Sequence, residues 1–279
     1  MGARKAARHF GKRDWRLLPR AGVAVRRHRD RRRGRDRGAA DRAQPVLAVM
    51  SRFEDIASLV PRDARSVADI GYDHGYLIRR LARTHPNLRI VGVERQAHAA
   101  ERLRRRMASR RYRQARVDLV HGDGLEPLAT RDVQIIVLSG LDERRIVQIL
   151  NRSLPHLSRF RRMVLCPVVT RGILRPYLRS IGWAAVDERL GRLRERFYQA
   201  YAVEPGAPSS TNDRWLIGPG LFDERHPLLR EFLFDLKRSY DPLIHHYGDG
   251  RGHIRQFHAS VSQALQTMDA AAPQRPLLS

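Results

Sequence analysis

Cysteine is nearly absent from this chain. Cys166 stands alone among 279 residues, which excludes an intramolecular disulfide framework and a cysteine-based zinc site. Set in the run Met163-Val164-Leu165-Cys166, it reads as a small buried hydrophobe. Long apolar stretches are missing as well. None approaches the ~20 residues of a bilayer-spanning helix, and the segment around Val23-Ala24-Val25 is too short for a secretory signal. The expectation is a soluble, cytoplasmic protein. Lysine is confined to Lys5, Lys12 and Lys237, and acids are outnumbered, with 29 Asp+Glu against 54 Lys+Arg and a formal charge of +25. Codon usage in a GC-rich genome accounts for arginine replacing lysine. It does not account for the net excess, which favours an anionic partner such as nucleic acid.

That charge is unevenly spread. Residues 1–49 carry sixteen basic and four acidic residues, a net +12, leaving +13 for the remainder. With little apolar periodicity, this segment cannot offset its ordering entropy and is expected to be a disordered Arg-rich tail. It is either an RNA-binding arm or an over-extended start. In the second case translation begins near Met50, directly before the amphipathic stretch Ser51 to Val60. A second disordered tail is expected over 270–279. Between them lie a domain over 50–219 and a helical hairpin over 220–269; no internal repeat is visible.

In the central domain, apolar runs of strand length alternate with helical spacing. Strands are expected at Ser66 to Ile70, Leu88 to Glu94, Val117 to His121, Val133 to Leu138 and Arg162 to Cys166. Helices are expected at Ser51 to Val60 with Ser51 as N-cap, at Tyr76 to Ala82, at Ala97 to about Arg111, at Asp142 to Leu150 and at Ile173 to Ile181, with a β-hairpin over Ala184 to about Glu204. Strands alternating with helices imply a Rossmann-like parallel sheet covered on both faces. After Pro219, helical runs at His226 to Tyr247 and His253 to Met268 flank a Gly248–Gly252 loop. They form a C-terminal α-helical hairpin, either a cap on the core or a separate recognition module.

The richest segment is Asp69-Ile70-Gly71-Tyr72-Asp73-His74-Gly75-Tyr76-Leu77. A strand ending in an acid, a glycine turn and a helix is how α/β folds build a nucleotide pocket. A carboxylate where a phosphate loop wants its third glycine repels pyrophosphate and suits a cationic or zwitterionic ligand such as S-adenosylmethionine. Ligands in open parallel sheets bind at the carboxyl ends of the strands, where four sets of residues line up: Asp69 with Gly71, Asp73, His74 and Gly75; Glu94; Asp123 with Gly124; and Leu138 with Ser139 and Gly140. Glu94 is placed to accept ribose hydroxyls, as an acid about 20 residues after such a turn does. Asp123 is placed to meet an adenine amino group. His74 either contacts the cofactor or stabilises the turn.

These motifs resemble those of the TrmK-type tRNA (adenine(22)-N1)-methyltransferases, class I enzymes that use S-adenosylmethionine. The family turn, Asp-Ile-Gly-Ser-Asp-His-Ala-Tyr-Leu, is matched by Asp69 to Leu77 except at Tyr72 and Gly75. Its Gly-Asp-Gly-Leu-Glu segment is matched without change by Gly122 to Glu126. Gly182-Trp183, Phe197-Tyr198 and Gly218-Pro219 recur in similar places, and the resemblance covers residues 51 to about 268. It implies a class I methyltransferase fold acting on N1 of a tRNA adenine, with a coiled-coil-like C-terminal appendage. Where the family has Ala-Gly-Met-Gly-Gly after strand 4, this chain has Leu138-Ser139-Gly140-Leu141-Asp142. Ser139, Gly140 and Asp142 are therefore the catalytic candidates: the Asp142 carboxylate either stabilises the cationic product or caps the next helix. The altered loop also admits a catalytically impaired RNA-binding relative, or an enzyme acting on another RNA or a small molecule.

The remaining candidates concern RNA. Arg102, Arg104, Arg105, Arg106, Arg110 and Arg111 give one helix a basic face, either solvated or set against phosphates. Lys237 and Arg238 are the corresponding candidates on the hairpin. His245, His246, His253 and His258 flank the glycine loop as solvated or RNA-facing groups, and no metal is expected. A monomer is the expected state.

Overall fold

The structure, a computed structural model, describes residues 52–207, 213–247 and 252–270. The two tails, the Ser51 cap and the central residues of the glycine loop lie outside them. Helix α1 occupies residues 52–58. It is followed by β1 (Ser66–Ile70), α2 (Tyr76–Thr84), β2 (Arg89–Glu94), α3 (Ala97–Met107), β3 (Arg116–His121) and β4 (Ile135–Ser139). Then come α4 (Glu143–Arg152), β5 (Arg162–Cys166), α5 (Leu174–Ser180), β6 (Trp183–Leu193) and β7 (Arg196–Pro205). The chain closes with α6 (Pro219–Asp223), α7 (Leu229–Tyr247) and α8 (Gly252–Ala270).

The seven strands form one sheet in the order β3-β2-β1-β4-β5-β7-β6. The first five are parallel. The position beside β5 is taken by β7, which runs antiparallel and is reached through the edge strand β6. The order reverses at β1, so the crevice between β1 and β4 is the switch point where such sheets bind ligands.

Both faces of the sheet are buried, which is why its strands read as unbroken apolar runs. Along β4, Ile135 and Val137 join the layer of α1, α2 and α3, while Ile136 and Leu138 join that of α4 and α5. Cys166 is buried in the first of these layers, and burial pushes its thiol up to about 12, so it stays protonated. The Tyr198 hydroxyl donates to Asp55 at 2.6 Å and pins β7 to α1.

Most boundaries shift by one or two residues from the sequence expectation, and three shifts have a local cause. The arginine-rich helix ends at Met107 because Ser109 takes up extended angles, and a short 3-10 turn over Arg110–Tyr112 follows. β4 begins at Ile135: the Gln134 side chain accepts the Arg65 N–H at 2.9 Å, closing the sheet edge ahead of it. α7 starts at Leu229, three residues late, because the His226 ring accepts the Leu228 N–H at 3.2 Å and turns the chain into the helix.

The C-terminal hairpin packs on the same body. Leu190, Leu216, Ile217 and Leu221 meet Leu229, Phe232, Leu233, Phe257 and Val261 in a third apolar cluster. Phe257 lies against Gly172, where an added Cβ would come within 2.6 Å of the ring. Gly172 has φ +66°, so both its space and its backbone require glycine. Replacing Phe257, which is 1% exposed, by alanine is expected to cost ~3–5 kcal/mol. Urea denaturation of the variant measures the loss; an unchanged midpoint would mean that the hairpin is not held by this contact.

Candidate active site

The turn after β1 is built from three residues with positive φ: Gly71 (+77°), Asp73 (+43°) and Gly75 (+65°). The Gly71 N–H donates to the Val93 carbonyl at 2.8 Å and the Gly75 N–H to the Tyr72 carbonyl at 2.7 Å. Leu103 of α3 approaches so closely that a Cβ on Gly75 would lie 2.5 Å from it. No side chain caps α2, so the amides of its first turn, at the carboxyl edge of the sheet, are left without a side-chain acceptor.

Glu94, at the end of β2, holds this turn in place. Its Oε2 accepts the Asp73 N–H at 3.1 Å and its Oε1 the Gln96 N–H at 2.9 Å. A carboxylate has about four acceptor sites, so each oxygen keeps capacity for a hydroxyl. Beneath it Asp69 is 2% exposed. Burial, with the like charge of Glu94 added, raises its carboxyl to about 7. His74 bonds the Asp73 carboxylate through Nδ1 at 2.9 Å, and Arg102 approaches the same carboxylate at 3.6 Å. Tyr72 turns away from the crevice into the α1–α3 layer, where its ring lies over Gly92; a Cβ there would be 2.8 Å from it. Its bulk therefore leaves the crevice unobstructed.

At the ends of β3 and β4 the chain places its groups differently. Asp123 is held by Arg145 and, at 3.4 Å, by Arg152, and the hydrogen bond from Arg145 keeps its carboxyl below the usual range. The Leu138 side chain is fully buried in the α4–α5 layer, so only its backbone reaches the edge. Gly140 has φ +74° and open space where a side chain would stand. Leu141 leans toward Gly71, 3.8 Å from where a Cβ would sit. Asp142 caps α4, accepting the Arg144 N–H at 3.0 Å, and pairs with Arg171 at 2.8 Å. Of the two roles open to Asp142 in the sequence, its contacts are those of the cap.

The segment after β5 closes this corner. The Val168 N–H donates to the Leu141 carbonyl at 3.0 Å. Glu143, buried beside it, accepts the Ile173 N–H at 3.1 Å and the Leu174 N–H at 3.3 Å, capping α5 from another helix.

Comparison with known proteins decides the family. The methyltransferase domain family matches residues 49–200. The chain belongs to that family. Its relatives include tRNA methyltransferases. A Mycoplasma genitalium protein assigned to the tRNA methyltransferases is 28% identical over 204 residues, spanning 70% of this chain and 88% of its own. The Bacillus subtilis tRNA (adenine(22)-N(1))-methyltransferase is 23% identical over 227 residues, spanning 79% and 89%. Among solved structures, Streptococcus pneumoniae Sp1610 in complex with S-adenosyl-L-methionine superposes with a TM-score of 0.64 at 22% identity, covering 77% of this chain and 98% of that one. This last likeness establishes the fold.

Within the methyltransferase domain, the structure brings Asp69, Gly71, Asp73, His74, Gly75, Glu94 and Gly140 to one crevice. Arg104, Arg105, Arg110 and Arg111 are exposed, Arg105 being paired with Glu101 at 3.0 Å within its own helix; this face is anchored to the turn by Arg102 and by Arg106, which donates to the His74 carbonyl at 3.4 Å. Lys237 is paired with Asp241 at 2.9 Å and Arg238 with Asp235 at 3.2 Å within their own helix. His258 bonds Asp241 at 2.7 Å, joining α8 to α7, and no group among the described residues gathers three metal-ligating side chains. The side chains of His245 and His246 lie outside the described residues. Sequence reasoning missed Arg145, Arg171 and Glu143, whose partners are remote in sequence. A cleft lined by Arg175, Trp183, Tyr201 and Trp215 lies on the β6–β7 side of the sheet, with β5 between it and β4.

Burial raises the Glu143 carboxyl to about 7. A carboxyl raised on folding favours the native state at low pH, and that contribution is lost as pH climbs from the ordinary carboxylate range through 7. Relative to wild type, Glu143→Gln is therefore expected to gain stability between pH 4.5 and pH 8, by up to ~3 kcal/mol. Denaturant unfolding of both proteins across this range tests it; a stability gap that does not move with pH would contradict the assignment.

Proposed function

We propose that this chain transfers the methyl group of S-adenosylmethionine to N1 of an adenine in tRNA, as a monomer in the cytoplasm. The observation that carries the reading is the pair of carboxylates, Asp69 and Glu94, at adjoining strand ends behind a turn with three positive-φ residues. The Glu94 charge there repels a pyrophosphate and attracts a ligand bearing a sulfonium and an ammonium group, and such a cation would favour the ionised form of Asp69 behind it. Glu94 would hold the ribose hydroxyls with the acceptor capacity its two amide bonds leave, and the α2 amides would meet the ligand's carboxylate. Asp123, already paired with Arg145 and Arg152, presents its neighbouring backbone rather than a free carboxylate to the adenine ring. The names of the curated relatives supply the substrate class and the adenine(22) position.

The bound cofactor supplies an electrophilic methyl carbon: the N1 lone pair forms the new N–C bond while the C–S bond breaks and its electrons return to sulfur, leaving a thioether. Adenine N1 needs no base to attack, so the protein's part is positioning. Gly140, with open space above its Cα, lets a base approach the crevice. The exposed arginine face of α3, tied to the turn through Arg102 and Arg106, offers phosphate contacts at its rim.

Calorimetric titration with S-adenosylmethionine, followed by incubation with unmodified tRNA and mass-spectrometric location of the new methyl group, tests the proposal. Binding is expected, and Glu94→Gln should weaken it about tenfold. Absence of binding overturns the enzyme reading; binding without a new N1-methyladenine turns it into an impaired RNA-binding relative.

A further inference from the structure

Val168 and Val169 are large apolar side chains left 50% and 43% exposed. The other two such groups among the described residues, Val186 and Phe234, stand singly on β6 and α7, as scattered surface hydrophobes do. The valine pair instead directly follows β5, at the carboxyl edge of the sheet. It is bonded to the loop after β4: the Val168 N–H donates to Leu141, and the Gly140 N–H donates to the Cys166 carbonyl at 3.0 Å.

Their exposure does not come from fraying. Arg171 is tied to Asp142 at 2.8 Å, the Tyr240 hydroxyl donates to the Thr170 carbonyl at 3.1 Å, and Phe257 fills the space above Gly172. Contacts from Asp142, Tyr240 and Phe257 thus anchor the residues after the pair, and Leu141 holds the Val168 amide, while two adjacent branched apolar side chains stay exposed. At a strand end where such sheets bind ligands, an adjacent pair is a surface that a ligand ring can cover. The crevice beside it is where the methyl donor would sit, and the surrounding surface is rich in arginine.

We propose that Val168 and Val169 form the apolar edge on which the adenine drawn out of the folded RNA packs. A base leaving its stack gives up a few kcal/mol, and enzymes recover part of this on apolar and aromatic side chains that cover the base. The pair sits beside Gly140, so a ring resting on it stands over the open end of the crevice. The proposal rests on the RNA-methylation reading above.

Its test uses the full chain, unmodified tRNA, and the same tRNA with 2-aminopurine at the nucleotide that wild type methylates. Wild type, Val168→Ser/Val169→Ser and Val168→Ile/Val169→Ile are compared. With S-adenosylhomocysteine present, wild type should raise 2-aminopurine emission on binding, because the probe brightens when unstacked. The serine pair should lose most of that rise and about tenfold or more in kcat/KM. It should still melt at the wild-type temperature and titrate S-adenosylmethionine normally. The isoleucine pair should behave as wild type. A serine pair with wild-type emission and kcat/KM would overturn the proposal, as would an isoleucine pair as defective as the serine pair. A wild type that methylates no tRNA fails differently: it overturns the functional reading, and the valine pair loses its occupant with it.

Discussion

Everything at the catalytic edge depends on one carboxylate, Glu94. By accepting the amides of Asp73 and Gln96 it fixes a turn in which Asp73, between two positive-φ glycines, holds φ +43° without being a glycine itself. The same interaction sets the electrostatics. Glu94 stands over Asp69, whose carboxyl is buried and raised to about 7, so the negative charge at the crevice rests mainly on Glu94, in a chain of formal charge +25. An acidic pocket within a basic body sorts two ligands at once: a cationic small molecule inside, a polyanion outside. This separation follows from where the acids lie in the sheet, since strand ends converge on the switch point while the arginines of α3 face outward.

A second constraint links that edge to the C-terminal hairpin. The segment after β5 is gripped on one side by Leu141, Asp142 and Glu143 and on the other by Tyr240 and Phe257. The hairpin thus packs against the core. It also bears on the segment that follows β5 at the carboxyl edge of the sheet, so its packing and the shape of that edge are not independent. Apolar contact dominates this joint, with the Arg192–Glu231 ion pair at 2.6 Å adding an exposed contact of small weight.

Much of this was legible beforehand. β1 and β5 fall where their apolar runs stand, and the glycine turn announced itself through Asp69, Gly71 and Gly75 because backbone demands of that kind leave few residue choices. What stayed hidden concerns partners. Asp142 could be read as a cap from its place before α4, but Arg171 lies 29 residues away, and no local pattern encodes that pairing. Glu143 sits in the run Asp-Glu-Arg-Arg, which reads as a solvated helix start; its burial follows from α5 needing a cap that its own preceding residues do not provide. Tyr72 departs from the family turn, and its direction could not be read from the sequence. Gly92, on the neighbouring strand, gives its ring a place in the core. Leu138 likewise stands at a strand end by number but in the core by pleat.

The central claim is that the turn organised by Glu94 cradles the methyl donor. Amide hydrogen exchange with and without S-adenosylhomocysteine tests it directly. The account predicts slowed exchange confined to Gly71 through Ile78 and to the residues following Glu94, Asp123 and Ser139. Protection centred instead on the Arg175, Trp183 and Trp215 cleft, or no protection at all, would contradict it.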